Sequence, residues 1–314
     1  MPGRKSIVIA GASSGIGAAL ARALASDGHQ LYICARRMER LAEVAEGRES
    51  IFYARCDVAE EPDVERFFRK VAERTNSIDA VIFCSGILGP LGRAHEVDSD
   101  AWLATLRTNL FGAFLVVKHA VPLMQPEHRP RILLLSGGGA FDPMPHASAY
   151  GVSKAGIVRL VETLATELAP RNIAVNAIAP GFVATEIHRS TFAAGPDRAG
   201  EHYKATVRAH AEPHDSIDLP IDCIRYMIST DSSKLTGKTI SARFDPWGEP
   251  EFAERIDEIQ TSPLYRTRRT NLDDLKDASL AEPLARAAAR KQERRKVAAN
   301  GGGRRATASS RSQS

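Results

Sequence analysis

The fold is decided by residues 7–17, which read Ile7-Val8-Ile9-Ala10-Gly11-Ala12-Ser13-Ser14-Gly15-Ile16-Gly17. The apolar start predicts a buried strand, and the Ala-rich residues 18–24 predict a helix. Between them, Gly11 permits a tight turn, Gly15 lets the backbone approach a pyrophosphate, and Gly17 allows close packing of the helix. We expect Ser13, Ser14 and Ile16 to face an anion at this helix N-terminus, the serines through hydroxyls or amides and Ile16 through its amide. The stretch therefore predicts a strand, a turn and a helix that bind a dinucleotide.

Strand-like segments recur along the chain after this unit. Each is short and apolar, and helix-length segments separate them, which is the rhythm of a doubly wound parallel sheet of the Rossmann α/β type. The predicted strands lie at residues 5–10, 30–35, 50–55, 78–84, 131–136, 172–178 and 238–242. We expect one such catalytic domain over residues 1–250, a C-terminal extension over residues 251–283, and a basic, disordered tail over residues 284–314.

The composition is that of a globular protein. Of the 314 residues, 43% are hydrophobic, which is enough for a full core. The four cysteines, Cys34, Cys56, Cys84 and Cys223, form no close-spaced pair, so we expect buried thiols rather than disulfides or metal ligands. No apolar run reaches the ~18 to 20 residues that a membrane span requires. We therefore expect a cytoplasmic protein without a membrane span and without a bound metal.

The net charge of +4 is unevenly distributed. From residue 284 onward nine Lys or Arg accompany one acid, so this segment carries +8 and residues 1–283 carry −4. A basic tail can contact nucleic acid, an acidic partner or anionic lipid, but most such tails are simply solvated. We expect an accessory tail, and we do not expect nucleic acid to be the partner.

Tyr150 and Lys154 lie four residues apart in the sequence Tyr150-Gly151-Val152-Ser153-Lys154. A helix would place the phenol and the ammonium on one face. A cation a few ångströms away favours the phenolate, so it would lower the pKa of Tyr150 from ~10 and make the hydroxyl a useful proton donor. The same spacing occurs on many solvated helix faces, so the pair alone does not define a catalytic site.

The order of the motifs along the chain indicates that this pair belongs to a catalytic site. After the glycine turn the chain presents, in order, Asn109, Ser136, the pair Tyr150 and Lys154, the segment Asn176-Ala177-Ile178-Ala179-Pro180-Gly181, and Thr185. This order resembles that of the short-chain dehydrogenases/reductases over roughly residues 4–242. The resemblance implies an NAD(P)(H) cofactor and hydride transfer between nicotinamide and a small-molecule carbonyl or secondary alcohol. It also implies a homodimer or homotetramer, built on long helices near residues 100–124 and 147–169.

The end of the second predicted strand favours NADP(H) over NAD(H). An NAD site usually places a carboxylate there to hold the ribose 2′-hydroxyl, but this strand runs into Arg36 and Arg37. Arg36 is expected to stack on adenine while either guanidinium pairs with the 2′-phosphate. The alternative is a solvated pair of arginines at the start of a helix. In the family this position separates the two cofactors, which strengthens the prediction.

The resemblance assigns further cofactor contacts and shows two departures. Asp57 and Val58 match the family's adenine-contacting pair, and a helix cap is the competing role for Asp57. Ser85 and Gly86 end a segment that is Asn-Ala-Gly in the family, so the amide that ties the central strands is missing here. Ala10 likewise replaces the usual Thr.

The segment Pro180-Gly181-Phe182-Val183-Ala184-Thr185 resembles the one that brackets the nicotinamide in the family. Its backbone groups, with Pro180, Gly181 and Val183, and the hydroxyl of Thr185 would hold the carboxamide and fix which ring face is offered. A Pro-Gly pair alone would be only a turn.

The catalytic roles also follow from the resemblance. Tyr150 is the expected acid/base, Lys154 also binds the nicotinamide ribose, and Asn109 anchors a water in the proton relay. Asn109 could instead satisfy a neighbouring backbone group. The serine that polarises the substrate usually lies 13 residues before the tyrosine, where this chain has Gly137. We favour Ser136 for that role, although strand alternation would equally turn it away.

Residues 187–217 are expected to form a mobile substrate lid. Its basic side chains are His188, Arg189, Arg198, His202, Lys204 and Arg208. A basic lid favours an anionic substrate, such as a nucleotide-linked sugar or a carrier thioester, although charged helix faces are usually just solvated. The leading hypothesis is an NADP(H)-dependent oxidoreductase. The alternatives are a non-catalytic NADP-binding scaffold, for which Gly137 marks a degraded site, and an epimerase or dehydratase of the same family.

Overall fold

The computed structural model describes residues 3–211, 216–229 and 234–267. Within these residues the seven predicted strands form one parallel sheet with helices on both faces, so the predicted fold class is confirmed. The strands are β1 (Ser6–Ala10), β2 (Gln30–Ala35), β3 (Ile51–Arg55), β4 (Ala80–Phe83), β5 (Arg131–Leu135), β6 (Ala174–Ala179) and β7 (Thr239–Ser241). The helices of the first half are α1 (Gly15–Ser26), α2 (Met38–Ala45), α3 (Glu61–Ala72), α4 (Ser99–Leu106) and α5 (Gly112–Ala120). Those of the second half are α6 (Ser148–Glu167), α7 (Arg189–Ala211), α8 (Asp218–Ile228), α9 (Pro250–Glu254) and α10 (Ile256–Thr261).

The strand order is β3-β2-β1-β4-β5-β6-β7. All the strands are parallel, but the order in which they are added to the sheet reverses between β1 and β4. The strands β2 and β3 lie on one side of β1, and β4 to β7 lie on the other. In an open parallel sheet a ligand binds at the carboxyl ends of the strands at such a switch point. The sheet order thus places the binding crevice directly beyond the glycine turn.

Alternation along the strands builds two cores. In β1, Ile7 and Ile9 belong to a cluster with residues of α1, α2 and α8, whereas Val8 and Ala10 belong to a second cluster with residues of α3, α5 and α6. All four side chains are fully buried. A strand buried on both faces reads as a continuous apolar run, which is why the first strand was evident from the sequence.

Residues 250–267 pack against the outer edge of the sheet. The amide of Thr239 in β7 donates to the carbonyl of Tyr265 at 2.8 Å. The compact unit of the chain extends to Thr267. The predicted boundary at residue 250 stays a prediction, but the described part of the extension is joined to the sheet.

The predictions on the cysteines, a membrane span and the C-terminal segments have different outcomes. All four cysteines are free thiols, and three of them are buried. In the described part of the chain, no helix combines the length and the apolar character needed to cross a membrane. Residues 268–283 of the predicted extension and the basic tail 284–314 lie outside the described residues.

Candidate active site

One cleft of about 1310 Å³ opens at the carboxyl ends of the strands. Every predicted site residue except Asn109 lines this cleft. The side chains that the sequence distributes over residues 11–185 are therefore brought together, while their individual roles remain predictions.

The glycine turn is closed by contacts that leave no room for side chains. A Cβ on Gly11 would lie 2.5 Å from the amide nitrogen of Ser85, and Gly11 has a positive φ of 88°. A Cβ on Gly17 would overlap the carbonyl oxygen of Gly11 and lie 3.1 Å from the Cβ of Cys84. The turn thus brings backbone without side chains to the wall of the cleft at the start of α1, which fits the phosphates of a dinucleotide.

The two arginines after β2 have different surroundings. The side chain of Arg36 is 59% exposed, and its Nη1 lies 3.9 Å from Asp57. Arg37 instead donates through Nε and Nη2 to Ser13 Oγ at 3.3 and 3.1 Å, and through Nη2 to Ser14 Oγ at 2.6 Å. Arg36 is therefore the guanidinium with donors available to a bound phosphate. Asp57 Oδ1 accepts the amide of Ala59 at 3.1 Å, two residues before the start of α3 at Glu61, so the carboxylate fixes the turn after β3 and does not cap the helix.

The opposite wall of the cofactor region comes from the segment after β6. A Cβ on Gly15 would lie 3.5 Å from the side chain of Thr185, so this segment crosses close to the glycine turn. Pro180, Gly181 and Val183 line the same wall.

Tyr150 and Lys154 lie in the first two turns of α6, on the face that the spacing predicted. The ammonium of Lys154 lies 5.4 Å from the ring centroid of Tyr150 and donates to the carbonyl of Leu135 at 2.9 Å. Lys154 is buried at 4% exposure. The carbonyl of the last residue of β5 thus fixes the lysine beneath the tyrosine.

The pKa of the tyrosine moves opposite to the expectation. Burial raises the pKa of Tyr150 to about 12, and burial lowers the pKa of Lys154 to about 8. Desolvation disfavours the charged phenolate of Tyr150, and it disfavours the charged form of the neighbouring Lys154 in the same way. Tyr150 is therefore a neutral phenol at pH 7, with a proton to give.

Gly137 is in direct contact with the tyrosine. A Cβ at this position would lie 2.8 Å from the Tyr150 hydroxyl oxygen. The phenol thus fills the space that a serine side chain would need. The neighbouring Ser136 is 2% exposed and lines the cleft, and its Oγ has no hydrogen-bond partner among the described residues.

Asn109 lies behind the wall of the cleft, in a π-helical segment (Arg107–Phe111) between α4 and α5. Its Oδ1 accepts the amide of Ile87 at 2.8 Å, and its Nδ2 donates to the Ile87 carbonyl at 2.9 Å and to Ser153 Oγ at 3.0 Å. The side chain braces the loop after β4 against α6. This is the backbone-satisfying alternative, and it leaves the proposed water-anchoring role as a prediction.

The segment after β6 and the predicted lid supply aromatic cleft residues whose grouping the motifs did not indicate. The ring of Phe182 stacks on that of His188 at 4.5 Å, and His210 meets both rings edge-on at 5.1 and 5.2 Å. Phe182, His188 and His202 line the cleft. No motif or spacing in the sequence signals this wall, because one ring comes from the segment before the predicted lid and the others from its two ends.

The lid brings less positive charge to the cleft than its composition suggested. Burial lowers the pKa of His188 to about 4 and also lowers the pKa of His202. Arg189 lies 3.7 Å from Glu186, and Lys204 lies 2.7 Å from Glu201. An anionic substrate therefore stays a prediction with little electrostatic support from the lid.

Comparison with known proteins agrees with this geometry. The family model described as short chain dehydrogenase matches residues 5–195. The chain belongs to the short-chain dehydrogenase family. The match spans the glycine turn, the pair on α6 and the Pro-Gly segment, so the resemblance read from the motifs is confirmed.

Individual members of the short-chain dehydrogenase family support the same conclusion. Human dehydrogenase/reductase SDR family member 4 is 30% identical over 241 residues, which cover 75% of this chain and 85% of that protein. The granaticin polyketide synthase putative ketoacyl reductase 1 of Streptomyces violaceoruber is 31% identical over 253 residues, covering 74% of this chain and 90% of the relative. The crystal structure of a single-residue variant of actinorhodin polyketide ketoreductase with NADPH superposes with a TM-score of 0.68 at 27% identity, covering 76% of this chain and 95% of that chain. This chain is therefore an oxidoreductase of the family.

Proposed function

We propose that the protein is an NADP(H)-dependent carbonyl reductase or secondary alcohol dehydrogenase in which Tyr150 is the acid/base. The observation that carries the proposal is the placement of Tyr150 and Lys154 in one cleft with the glycine turn. When bound, the nicotinamide supplies or accepts the hydride. The residues of this chain then have to bind the cofactor, orient the substrate oxygen and move one proton.

The protonation states favour reduction at neutral pH. A partly buried phenol with a pKa of about 12 holds its proton at neutral pH, so Tyr150 can donate it to the oxygen of a carbonyl substrate. We propose that Ser136 polarises that oxygen, since its buried Oγ has no partner among the described residues and a substrate oxygen would supply one.

The charge on Lys154 should appear in the pH profile. With a pKa of about 8, Lys154 is a cation below pH 8 and neutral above it. If the cation is needed, kcat for reduction should fall about tenfold per pH unit above pH 8. Initial rates at saturating substrate and NADPH from pH 6 to 10 measure this. Lys154→Arg keeps its charge throughout, so whatever activity it retains should lack the decline. A flat wild-type profile to pH 10 would contradict a role for the charge.

Arg36 should determine the choice of cofactor. Both arginines after β2 are exposed, but Arg36 is the one whose nitrogens are not engaged by hydroxyl groups of the described residues, and it stands in place of the acid that an NAD site would carry. We expect Arg36→Asp to weaken NADPH binding at least tenfold, about 1.4 kcal/mol, and to shift preference toward NADH. Titrations of nicotinamide fluorescence with both cofactors measure the ratio. The matched control is Arg22→Asp, an equal charge change on the exposed side of α1 away from the cleft, which should leave both affinities within twofold.

The substrate class is tested with a panel of carbonyl compounds. The chain resembles ketoacyl and polyketide reductases by the names of its relatives, and the aromatic wall of Phe182 and His188 favours a planar or cyclic part in the substrate. The panel should include acyl thioesters, cyclic ketones and nucleotide sugars, with NADPH absorbance as the readout. Consumption of NADPH supports the reductase. Turnover without net NADPH change indicates an epimerase or dehydratase, and cofactor binding without turnover supports the scaffold.

We propose that the protein forms a homodimer or homotetramer in the cytoplasm. Four large apolar side chains are exposed along α4, the π-helical segment after it, α5 and α6, namely Leu103, Phe111, Phe114 and Val152. The rings of Phe111 and Phe114 stack at 6.0 Å. An exposed apolar patch of this kind marks a contact surface, and a second copy would cover it. The four free thiols are what a reducing compartment favours.

A further inference from the structure

The carboxylate of Glu186 lies among three arginines at the mouth of the cofactor cleft. Its Oε2 is 3.2 Å from Arg37 Nη1, and its Oε1 is 3.6 Å from Arg40 Nη2 and 3.7 Å from Arg189 Nη2. Arg37 and Arg40 belong to the wall that follows β2, whereas Glu186 lies at the end of the segment after β6, directly before the predicted lid. The hydrogen bond from Arg37 holds the pKa of Glu186 below its usual range, so the carboxylate is charged at neutral pH.

This carboxylate completes the coordination of Arg37. The other donor nitrogens of Arg37 bind the hydroxyls of Ser13 and Ser14 in the glycine turn. Each of the three guanidinium nitrogens of Arg37 is therefore engaged by protein oxygens. Arg36, one residue earlier, approaches only Asp57, at 3.9 Å, among the described residues.

The location of this network matters because it coincides with the proposed 2′-phosphate site. That phosphate is expected between the guanidinium groups after β2 and the glycine turn, where Arg37 now binds the two serines and Glu186. A phosphate carries about −1.5 to −2 charge at pH 7 and three acceptor oxygens, so it competes well with a single carboxylate for an arginine.

We propose that Glu186 is a built-in anion that competes with the 2′-phosphate of NADP(H) for Arg37. This inference rests on the proposed cofactor assignment. Without the phosphate, Glu186 offsets one of the three positive charges of the arginine cluster and ties the segment before the predicted lid to the wall after β2. When the phosphate binds, Arg37 exchanges the carboxylate for it, and the carboxylate returns when the cofactor leaves. NADH carries no 2′-phosphate, so its binding requires no such exchange.

The competition has a measurable consequence for specificity. Removing the charge of Glu186 should raise the affinity for NADPH and leave the affinity for NADH unchanged. Because the side chains of Arg37 and Glu186 are 47% and 31% exposed, their pairing is weak, and the effect should be modest. We expect Glu186→Gln to bind NADPH about three- to tenfold tighter and to release it correspondingly more slowly, with NADH affinity within twofold of wild type.

The experiment uses the full chain and measures binding without turnover. Dissociation constants for NADPH, NADH and adenosine 2′,5′-bisphosphate are determined for wild type and Glu186→Gln, and NADPH release is followed by stopped-flow fluorescence. The bisphosphate carries the 2′-phosphate without nicotinamide, so its affinity should rise with that of NADPH. The matched control is Glu201→Gln, a lid carboxylate that pairs with Lys204 at 2.7 Å outside the cleft and should change none of these constants.

The outcomes separate this proposal from the assignment beneath it. A wild-type protein without preference for NADPH overturns the cofactor assignment, and the competition with it. If wild type prefers NADPH but Glu186→Gln weakens the binding of NADPH and of NADH equally, Glu186 helps to hold either cofactor in the cleft and does not compete with the 2′-phosphate. If Glu186→Gln changes neither constant, the ion pair is a surface contact and the competition is absent. Unfolding midpoints of both variants, measured alongside, exclude a general loss of folding as the cause.

Discussion

Replacing Tyr150 with phenylalanine should remove at least 99% of reductase turnover while NADPH binding stays within about threefold of wild type. General acid catalysis typically contributes ~10²- to 10⁴-fold, and this is the share that the phenol would supply. The ring keeps its packing at the start of α6, so the cleft keeps its shape. With a pKa raised to about 12 by desolvation, Tyr150 is protonated at neutral pH, as the proposed acid role requires. Steady-state rates with the best substrate of the panel and a fluorescence titration of NADPH measure the two quantities separately.

The matched control is Tyr53→Phe, which removes a hydroxyl from β3 at a position that does not line the cleft. It should leave kcat within twofold. A Tyr150→Phe enzyme with wild-type kcat on a confirmed substrate would show that another group moves the proton. Loss of NADPH binding in the same variant would indicate a structural role for the hydroxyl instead.

Replacing Gly17 with alanine should abolish measurable NADPH binding and destabilise the fold. The added methyl would overlap the backbone oxygen of Gly11 and press on Cys84, and neither backbone can yield without opening the turn. Overpacking of a tight site typically costs ~1 to 3 kcal/mol, and here the same displacement moves the amides that face the phosphates. Thermal unfolding and NADPH titration measure both effects.

Gly138 offers the control for that substitution. A Cβ there would meet nothing within 4 Å, and its φ is not positive, so Gly138→Ala should leave the unfolding midpoint unchanged. If Gly17→Ala binds NADPH as wild type does, the close approach of α1 to the turn is not what shapes the phosphate site.

The parts of the fold that could be predicted from the sequence depend on local signals. A strand buried on both faces is a short apolar run, and the glycine turn joins such a run to a helix within eleven residues, so β1 and α1 were evident. The pairing of Tyr150 and Lys154 needed only helical periodicity. Each of these features is fixed by neighbours in the chain.

Features that depend on distant contacts could not be predicted. The pair Arg37 and Glu186 joins residues 149 positions apart, and they meet because the segment after β6 passes close to the glycine turn. From the sequence, Gly137 is the position where the family's serine is missing. The structure shows that the Tyr150 hydroxyl occupies the space that a side chain at Gly137 would need. The pKa of Tyr150 was expected to fall because the lysine was evident, whereas the burial that raises the pKa was not.

Lys238 determines how far a truncated form of the chain must extend in order to fold. Its side chain is fully buried before β7, and its ammonium donates to the carbonyls of Ile259, Ser262 and Leu264 at 2.6, 2.8 and 3.0 Å. A fragment that stops at residue 250 would keep the buried ammonium and lose all three acceptors, which is a costly state for a charge. The shortest stretch able to fold by itself therefore has to include the turn after α10, and a fusion junction or an engineered cleavage site belongs beyond Thr267.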